Sequence, residues 1–324
     1  MMVSFRLLLL LLMSVQLLAH GMARSAERSP LRIAVVTPAG EGGEKVEAEL
    51  RRLIGSEERL AIELIDRDLT RLAQLGSGYA GGLNLSLEEA RGLGQAFGAD
   101  YFILGQVLVI PRPGEERERS FEGVAALFLV ESRTGRLRRF RQEMAPGADL
   151  IEVEHQLRSA LTRIWDLFVV TLGDDLPSVR PTPDGGAPTA DVIFTDDDIP
   201  GMVGLQPPVF LRQLKPAYPA TAARIEVEGT VELTAVFRAD GRIDEIEVRR
   251  WAGFELDESS IATVRQLRFQ SATYNGQPVS FRGLVRYNFR RPAPQAIRTP
   301  TRNREEVDRL KRSINDRLKI RPIP

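Results

Sequence analysis

The stretch that comes nearest to a chemical specification is Ala39-Gly40-Glu41-Gly42-Gly43, between an apolar strand and a helical pattern. A glycine-rich turn in that place can aim backbone N–H groups at a phosphate. The spacing here is broken. Lys45 stands where the third glycine of G-x-G-x-x-G belongs, no lysine–serine/threonine pair completes a P-loop, and a plain loop accounts for the glycines. Asp66, at the end of the next strand, then has no nucleotide to recognise. His155 is the one histidine apart from His20 near the N-terminus, and there is no cysteine, so the three or four ligands of a zinc site cannot be assembled from these residue types. Asp196-Asp197-Asp198 lacks the twelve-residue spacing and closing glutamate of a calcium loop and reads as a solvated acidic run. Glu152 and Glu154 lie two apart on a helical pattern and face different ways. No nucleophile–base pair emerges. The sequence reads as a non-enzyme, with no catalytic residue, no metal and no cofactor.

The chain has 324 residues, 43% of them hydrophobic, enough for about two domains. Lys plus Arg equal Asp plus Glu at 44 each, which speaks against nucleic acid as the partner, because phosphate recognition needs a basic surplus. Leu7 to Ala19 is an apolar run broken by Ser14 and Gln16, preceded by Arg6 and followed by Ala19, Gly21, Ala23 and Ala26. That order predicts a secretory signal peptide over about 1–23; a short anchor over 5–22 is the alternative, although a spanning helix needs roughly 20 apolar residues. The expected location is the periplasm of a Gram-negative bacterium.

Residues 31–170 alternate between strand and helix signals. Leu31 to Val36 and Leu60 to Ile65 read as strands. Lys45 to Ile54 and Ile151 to Val169 carry helical apolar stripes, and Ser86 with Glu89 forms a capping box ahead of Ala90, Leu93 and Phe97. Tyr101 to Ile110 is apolar almost throughout, as a strand buried on both faces should be. These elements predict one α/β domain with a mixed sheet. Residues 171–208, with Pro181, Pro183, Pro188, Pro200, Pro207 and Pro208, read as a linker. Residues 291–324 read as a tail, with Val307, Leu310, Ile314 and Leu318 on one helical stripe.

Residues 209–290 follow a different pattern. Val231, Leu233, Ala235 and Phe237 alternate; Asp240-Gly241 turns the chain into a second alternating run through Ile246 and Val248; Ile261, Val264 and Leu267 share a helix stripe. Asn275-Gly276 is a second tight turn, and Val279, Phe281, Val285, Tyr287 and Phe289 share one face of a last strand. This predicts a three-stranded antiparallel sheet with two helices on one face, an α+β arrangement of order αββαβ. The ordered signals Tyr218-Pro219, Gly229, Asp240-Gly241, Leu256-Asp257, Phe269 and Gly276 resemble the TonB C-terminal domain. The resemblance departs from the family at Gln270-Ser271-Ala272, where Pro-Ala is usual, and at Leu267, where Trp is usual. It implies a protein-recognition module whose last strand, Leu284, Val285, Arg286, Tyr287 and Asn288, accepts a partner by strand addition. The implied partner is an outer-membrane receptor or another envelope protein, with transport across the outer membrane and an inner-membrane motor complex as the corresponding roles. Ser14 and His20 do not share a helix face, unlike the motor-facing Ser and His of the TonB anchor.

A second resemblance rests on Leu64-Ile65-Asp66-Arg67, Gly98-Ala99-Asp100-Tyr101-Phe102-Ile103-Leu104-Gly105 and Glu131-Ser132-Arg133-Thr134-Gly135-Arg136. Together these are similar to the periplasmic α/β domain of CsgG, LpoB and the N-terminal part of TolB. That likeness implies an assembly or regulatory accessory of the envelope, with peptidoglycan contact or a homodimer among the expected interactions.

Overall fold

The computed structural model describes residues 29–113, 119–175 and 193–291. The expected signal peptide over 1–23 and the tail beyond Arg291 lie outside the described residues, as do linker residues 176–192.

The first half forms a five-stranded sheet of order β2-β1-β4-β5-β6. Its strands are β1 (Leu31–Val35), β2 (Ile62–Leu64), β4 (Tyr101–Pro113), β5 (Arg119–Glu131) and β6 (Leu137–Gly147), while a two-residue strand, β3 (Leu85–Ser86), leaves this sheet for another. β1 runs parallel to β2 and β4, and β4, β5 and β6 form an antiparallel meander. Helices α1 (Gly43–Gly55) and α4 (Leu150–Asp175) cover one face. The pleat sends Ile33, Val35, Ile103, Leu127 and Leu129 to that face, against Leu50, Leu157, Ile164 and Phe168. Helices α2 (Arg67–Gly76) and α3 (Leu87–Phe97) lie on the other side, where α3 contributes Ala90, Leu93 and Phe97. The capping box of α3 forms as its spacing predicts, with Ser86 accepting from the Glu89 N–H and Glu89 from the Ser86 N–H.

The second half contains β7 (Ile193–Thr195), β8 (Leu205–Gln206), β9 (Val209–Phe210), α5 (Ala220–Arg224), β10 (Gly229–Phe237), β11 (Ile243–Trp251), α6 (Leu256–Val264), β12 (Phe269–Gln270), β13 (Ala272–Tyr274) and β14 (Gln277–Phe289). Here the architecture exceeds the expected three strands. The sheet runs β3-β11-β10-β14-β13-β8, with β7 added parallel to β14. Of the extra strands, β13 lies within the 209–290 segment, and β3, β7 and β8 come from outside it. Leu85 and Ser86 pair with Trp251 and Arg250, and Ile193 to Thr195 pair with Ser280 to Arg282. The expected linker is therefore structured over 193–206: Phe194 and Leu205 bury against Ala272 and Phe281, and Asp198 caps a short 3-10 turn by accepting from the Thr195 N–H. Two apolar residues among prolines and aspartates suffice to dock the segment, too few for periodicity to register. Helix α4 also runs on to Asp175, past the expected Val169, because Thr171 and Leu172 remain buried.

The two halves share one core. Ala34, Phe102, Leu104, Ala126, Phe128 and Val130, on the second face of the first sheet, pack in one cluster with Val231, Leu233, Trp251, Phe254 and Val264. Phe128 stands 5.5 Å from Trp251 and 5.7 Å from Phe254, and Phe140 stands 4.8 Å from Phe254, ring centre to ring centre. Burial of aromatic rings on both sides of a junction contributes several kcal/mol, at roughly 25 cal/mol per Å² of apolar surface. Gly253, at φ +72°, sits where a Cβ would lie 2.4 Å from the Phe128 ring.

Polar groups fix the register across the same junction. The Asn84 side-chain amide donates to the Thr230 and Trp251 carbonyls at 2.8 and 2.7 Å and accepts from the Thr230 N–H at 2.9 Å. The Trp251 indole donates to the Gly135 carbonyl at 3.1 Å. Glu122, nearly buried, holds Arg112 from its own sheet and Arg224 from α5.

Candidate partner-docking edge

Strand β14 is long because it serves three neighbours. On one side Phe281 to Phe289 pair with β10 throughout, Phe281 opposite Phe237 and Phe289 opposite Gly229. On the other side Ser280 to Arg282 pair with β7, and Gln277 to Val279, ahead of the β10 pairing, meet β13. From Gly283 to Phe289 that second side has no strand partner among the described residues. Alternate backbone N–H and C=O groups along this stretch point away from the sheet, which is the arrangement that templates an added strand.

The side chains there divide by pleat. Leu284, Arg286 and Asn288 face outward and are exposed, Leu284 by 48%. Val285 and Tyr287 face inward and are half-buried, and burial raises the Tyr287 phenol above its ordinary pKa. Arg286 is held across the sheet by Glu232, Nε to Oε1 at 2.8 Å, and Arg250 approaches the same carboxylate at 3.9 Å. Asn288 accepts from the Thr230 hydroxyl at 2.9 Å. The edge thus offers an apolar inner shelf and an outer row of one leucine, one arginine and one amide.

The remaining motif residues build the frame around this strand. The Tyr218 hydroxyl donates to the Val227 carbonyl and its ring lies 6.1 Å from Phe289. Burial, with Glu228 and Glu226 nearby, raises its pKa. Pro219 precedes the first turn of α5, where its missing N–H costs nothing. Gly229 starts β10 where a Cβ would come 3.1 Å from the Ala252 Cβ. Asp240 and Gly241 make the β10–β11 turn, Gly241 at φ +88° and Asp240 accepting from the Arg242 N–H at 3.0 Å. Phe269 packs edge-on to Phe237 at 5.1 Å. Asn275 and Gly276, both at positive φ, turn β13 into β14.

The glycines of the 39–43 loop have a packing role. A Cβ on Gly40 would stand 2.0 Å from the Val107 carbonyl oxygen, and one on Gly43 would stand 1.9 Å from that of Pro38. His155 is exposed on α4. Sequence reasoning did not single out Asn84 or β3, because a two-residue strand next to a helix cap carries no periodic signal of its own.

Residues 215–290 match the family described as Gram-negative bacterial TonB protein C-terminal. No curated protein sequence matches the chain. Among solved structures, the TonB C-terminal domain of Pseudomonas aeruginosa is 22% identical, with 31% of this chain and 96% of that one covered and a TM-score of 0.25. A lipoprotein, GNA1162, from Neisseria meningitidis is 14% identical, covering 42% of this chain and 99% of that one at a TM-score of 0.31. The LpoB C-terminal domain from Salmonella enterica is 14% identical, covering 40% and 93% at a TM-score of 0.25. The C-terminal part of this chain is therefore similar to the TonB C-terminal family over residues 215–290, and that match stops short of the N-terminal half.

Proposed function

We propose that this is a periplasmic adaptor of the Gram-negative envelope, a binding protein rather than an enzyme, which captures an envelope partner by strand addition along Gly283 to Phe289. One observation carries the reading: the far side of β14 is open over this stretch, while Ser280 to Arg282 on the same side are already paired. The family match over 215–290 supports the envelope setting. An outer-membrane receptor segment is the partner that fits best, with energy-coupled transport as the corresponding role. Backbone bonds supply affinity in this mode, and Leu284, Arg286 and Asn288 tune choice.

The test uses the full chain, because the shared core ties the two halves together. A photo-crosslinking amino acid replaces Leu284 or Asn288 in cells, and His155, exposed on α4 over the opposite face of the first sheet, serves as a distant control. Capture of a defined outer-membrane protein from both edge positions and not from the control supports the proposal. Equal, diffuse crosslinking from all three positions refutes it.

A second reading rests on helix α2, whose Leu69, Leu72 and Leu75 are each more than 60% exposed. A row of leucines at helical spacing on the surface fits an assembly or regulatory role for the N-terminal half. Replacing the three by Gln leaves folding intact and abolishes the cellular phenotype if that row is the working surface; an unchanged phenotype excludes this reading.

A further inference from the structure

We propose that the edge of β6, with the cleft between it and helix α6, is a second peptide-docking site, separate from the β14 edge, and that it takes an extended segment alternating apolar and acidic residues. β6 is the outermost strand of the first sheet, and its outer side has no strand partner among the described residues. A cavity of about 770 Å³ runs along it. Consecutive residues from Arg136 to Gln142 line that cavity. Both faces of the pleat therefore reach it, as happens when a cavity follows a strand edge rather than a strand face. The opposite wall comes from the second half of the chain, through Thr221, Trp251 and Ile261.

Two side chains bordering the cleft have unmet hydrogen-bonding capacity. Both the nitrogen and the oxygen of the Gln142 amide are buried without a partner, and so is the Thr221 hydroxyl. Buried polar groups are nearly always satisfied in folded proteins, so an orphaned amide and hydroxyl on opposite walls of one cleft point to a ligand with both donors and acceptors. A peptide strand has both.

The chemistry of the segment follows from the two faces of β6. Phe140, Gln142 and Met144 lie opposite Phe128, Ala126 and Val124 and look into the cleft. Arg139 and Arg141 lie opposite Leu129 and Leu127, on the other face. Arg139 donates to the Thr171 hydroxyl at 2.8 Å and Arg141 to the Phe140 carbonyl at 3.4 Å. Neither pairs with a carboxylate among the described residues. A strand added to β6 would place alternate side chains beside these arginines, where Asp or Glu is favoured. Its other side chains would enter the cleft against Phe140, Met144, Trp251 and Ile261. Acidic residues are disfavoured on that side, because Glu255 and Glu258 stand on the facing wall. The two faces together fix the alternation, apolar inward and acidic outward.

The test titrates the full chain into a fluorescein-labelled heptapeptide, Ile-Glu-Val-Glu-Thr-Glu-Val, and follows anisotropy. Saturable binding is expected, with hydrogen-exchange protection of the β6 amides over 137–147. Arg141→Glu turns an opposite-charge cross-strand pair into a like-charge pair and should weaken binding by roughly tenfold. Gln142→Leu keeps the volume, removes the amide, and should weaken it severalfold. A version of the peptide with Lys for each Glu should not bind. Circular dichroism and the melting temperature confirm that both variants remain folded. No saturable binding, binding indifferent to Arg141→Glu, or protection that appears over 283–289 instead of 137–147 would overturn the proposal.

Discussion

Replacing Asn84 by Ala tests whether the two halves of the chain are one folded body. The side chain makes three hydrogen bonds across the junction, two to carbonyls and one from the Thr230 N–H. Each is worth about 1 kcal/mol net, and the alanine leaves three backbone groups without those partners. The site is half-buried, so water recovers part of the loss. A destabilisation of about 2–3 kcal/mol is expected, and a fall in melting temperature of roughly 5–10 °C at about 2–4 °C per kcal/mol for a chain of this size. Urea denaturation of wild type and variant, read both by far-ultraviolet circular dichroism and by tryptophan fluorescence, gives the number. Trp165 reports the α1–α4 side of the first sheet and Trp251 the junction, so coincident transitions show a single unit. A loss below about 0.5 kcal/mol would refute the role given to Asn84. Two well-separated transitions in the wild type would refute the shared core itself.

Two further outcomes follow from the same junction. Gly253→Ala forces a Cβ to within 2.4 Å of the Phe128 ring at a positive φ, and should cost about 2–3 kcal/mol by overpacking and backbone strain, read from the denaturation midpoint. Asp257 is buried at the start of α6, accepting from the Ala252 and Gly253 N–H groups at 2.9 and 2.7 Å. Burial nonetheless pushes its pKa up to about 7 from 3.8. The folded state then binds this proton more tightly than the unfolded chain does. The resulting stabilisation is complete below pH 3.8 and is lost as pH rises through about 7, by at most about 4 kcal/mol. Asp257→Asn should flatten the stability profile between pH 4 and pH 7. An unchanged slope in a pH series of urea melts contradicts the assignment.

Much of each half was legible in the sequence because each carries its own periodicity. Val231, Leu233, Ala235 and Phe237 alternate as a half-buried strand must, and all four are fully buried. Tyr101 to Leu104 are apolar without alternation because the first sheet is covered on both sides. That continuous run already required a cover for the second face. It did not say that the cover is the C-terminal half, since nothing local marks Phe128 as a neighbour of Trp251 more than 100 positions away. The same limit hid β3 and β7. Leu85–Ser86 reads only as the start of a helix, and Ile193–Thr195 only as an apolar interval in a proline-rich stretch, yet each completes a sheet through long-range backbone bonds. The side-chain faces of Leu284 to Asn288 follow from alternation alone. Which part of β14 is already paired depends on β7 and β13, and no pattern within β14 encodes it.

The central claim is that Gly283 to Phe289 is the stretch of β14 that receives a partner strand. Hydrogen exchange of the full chain, alone and with the outer-membrane protein captured by crosslinking, measures this directly at backbone resolution. Alternate amides over 283–289 should slow markedly on binding, while those of β10, already paired along their length, should not change. Unchanged exchange over 283–289, with protection elsewhere, would contradict the account.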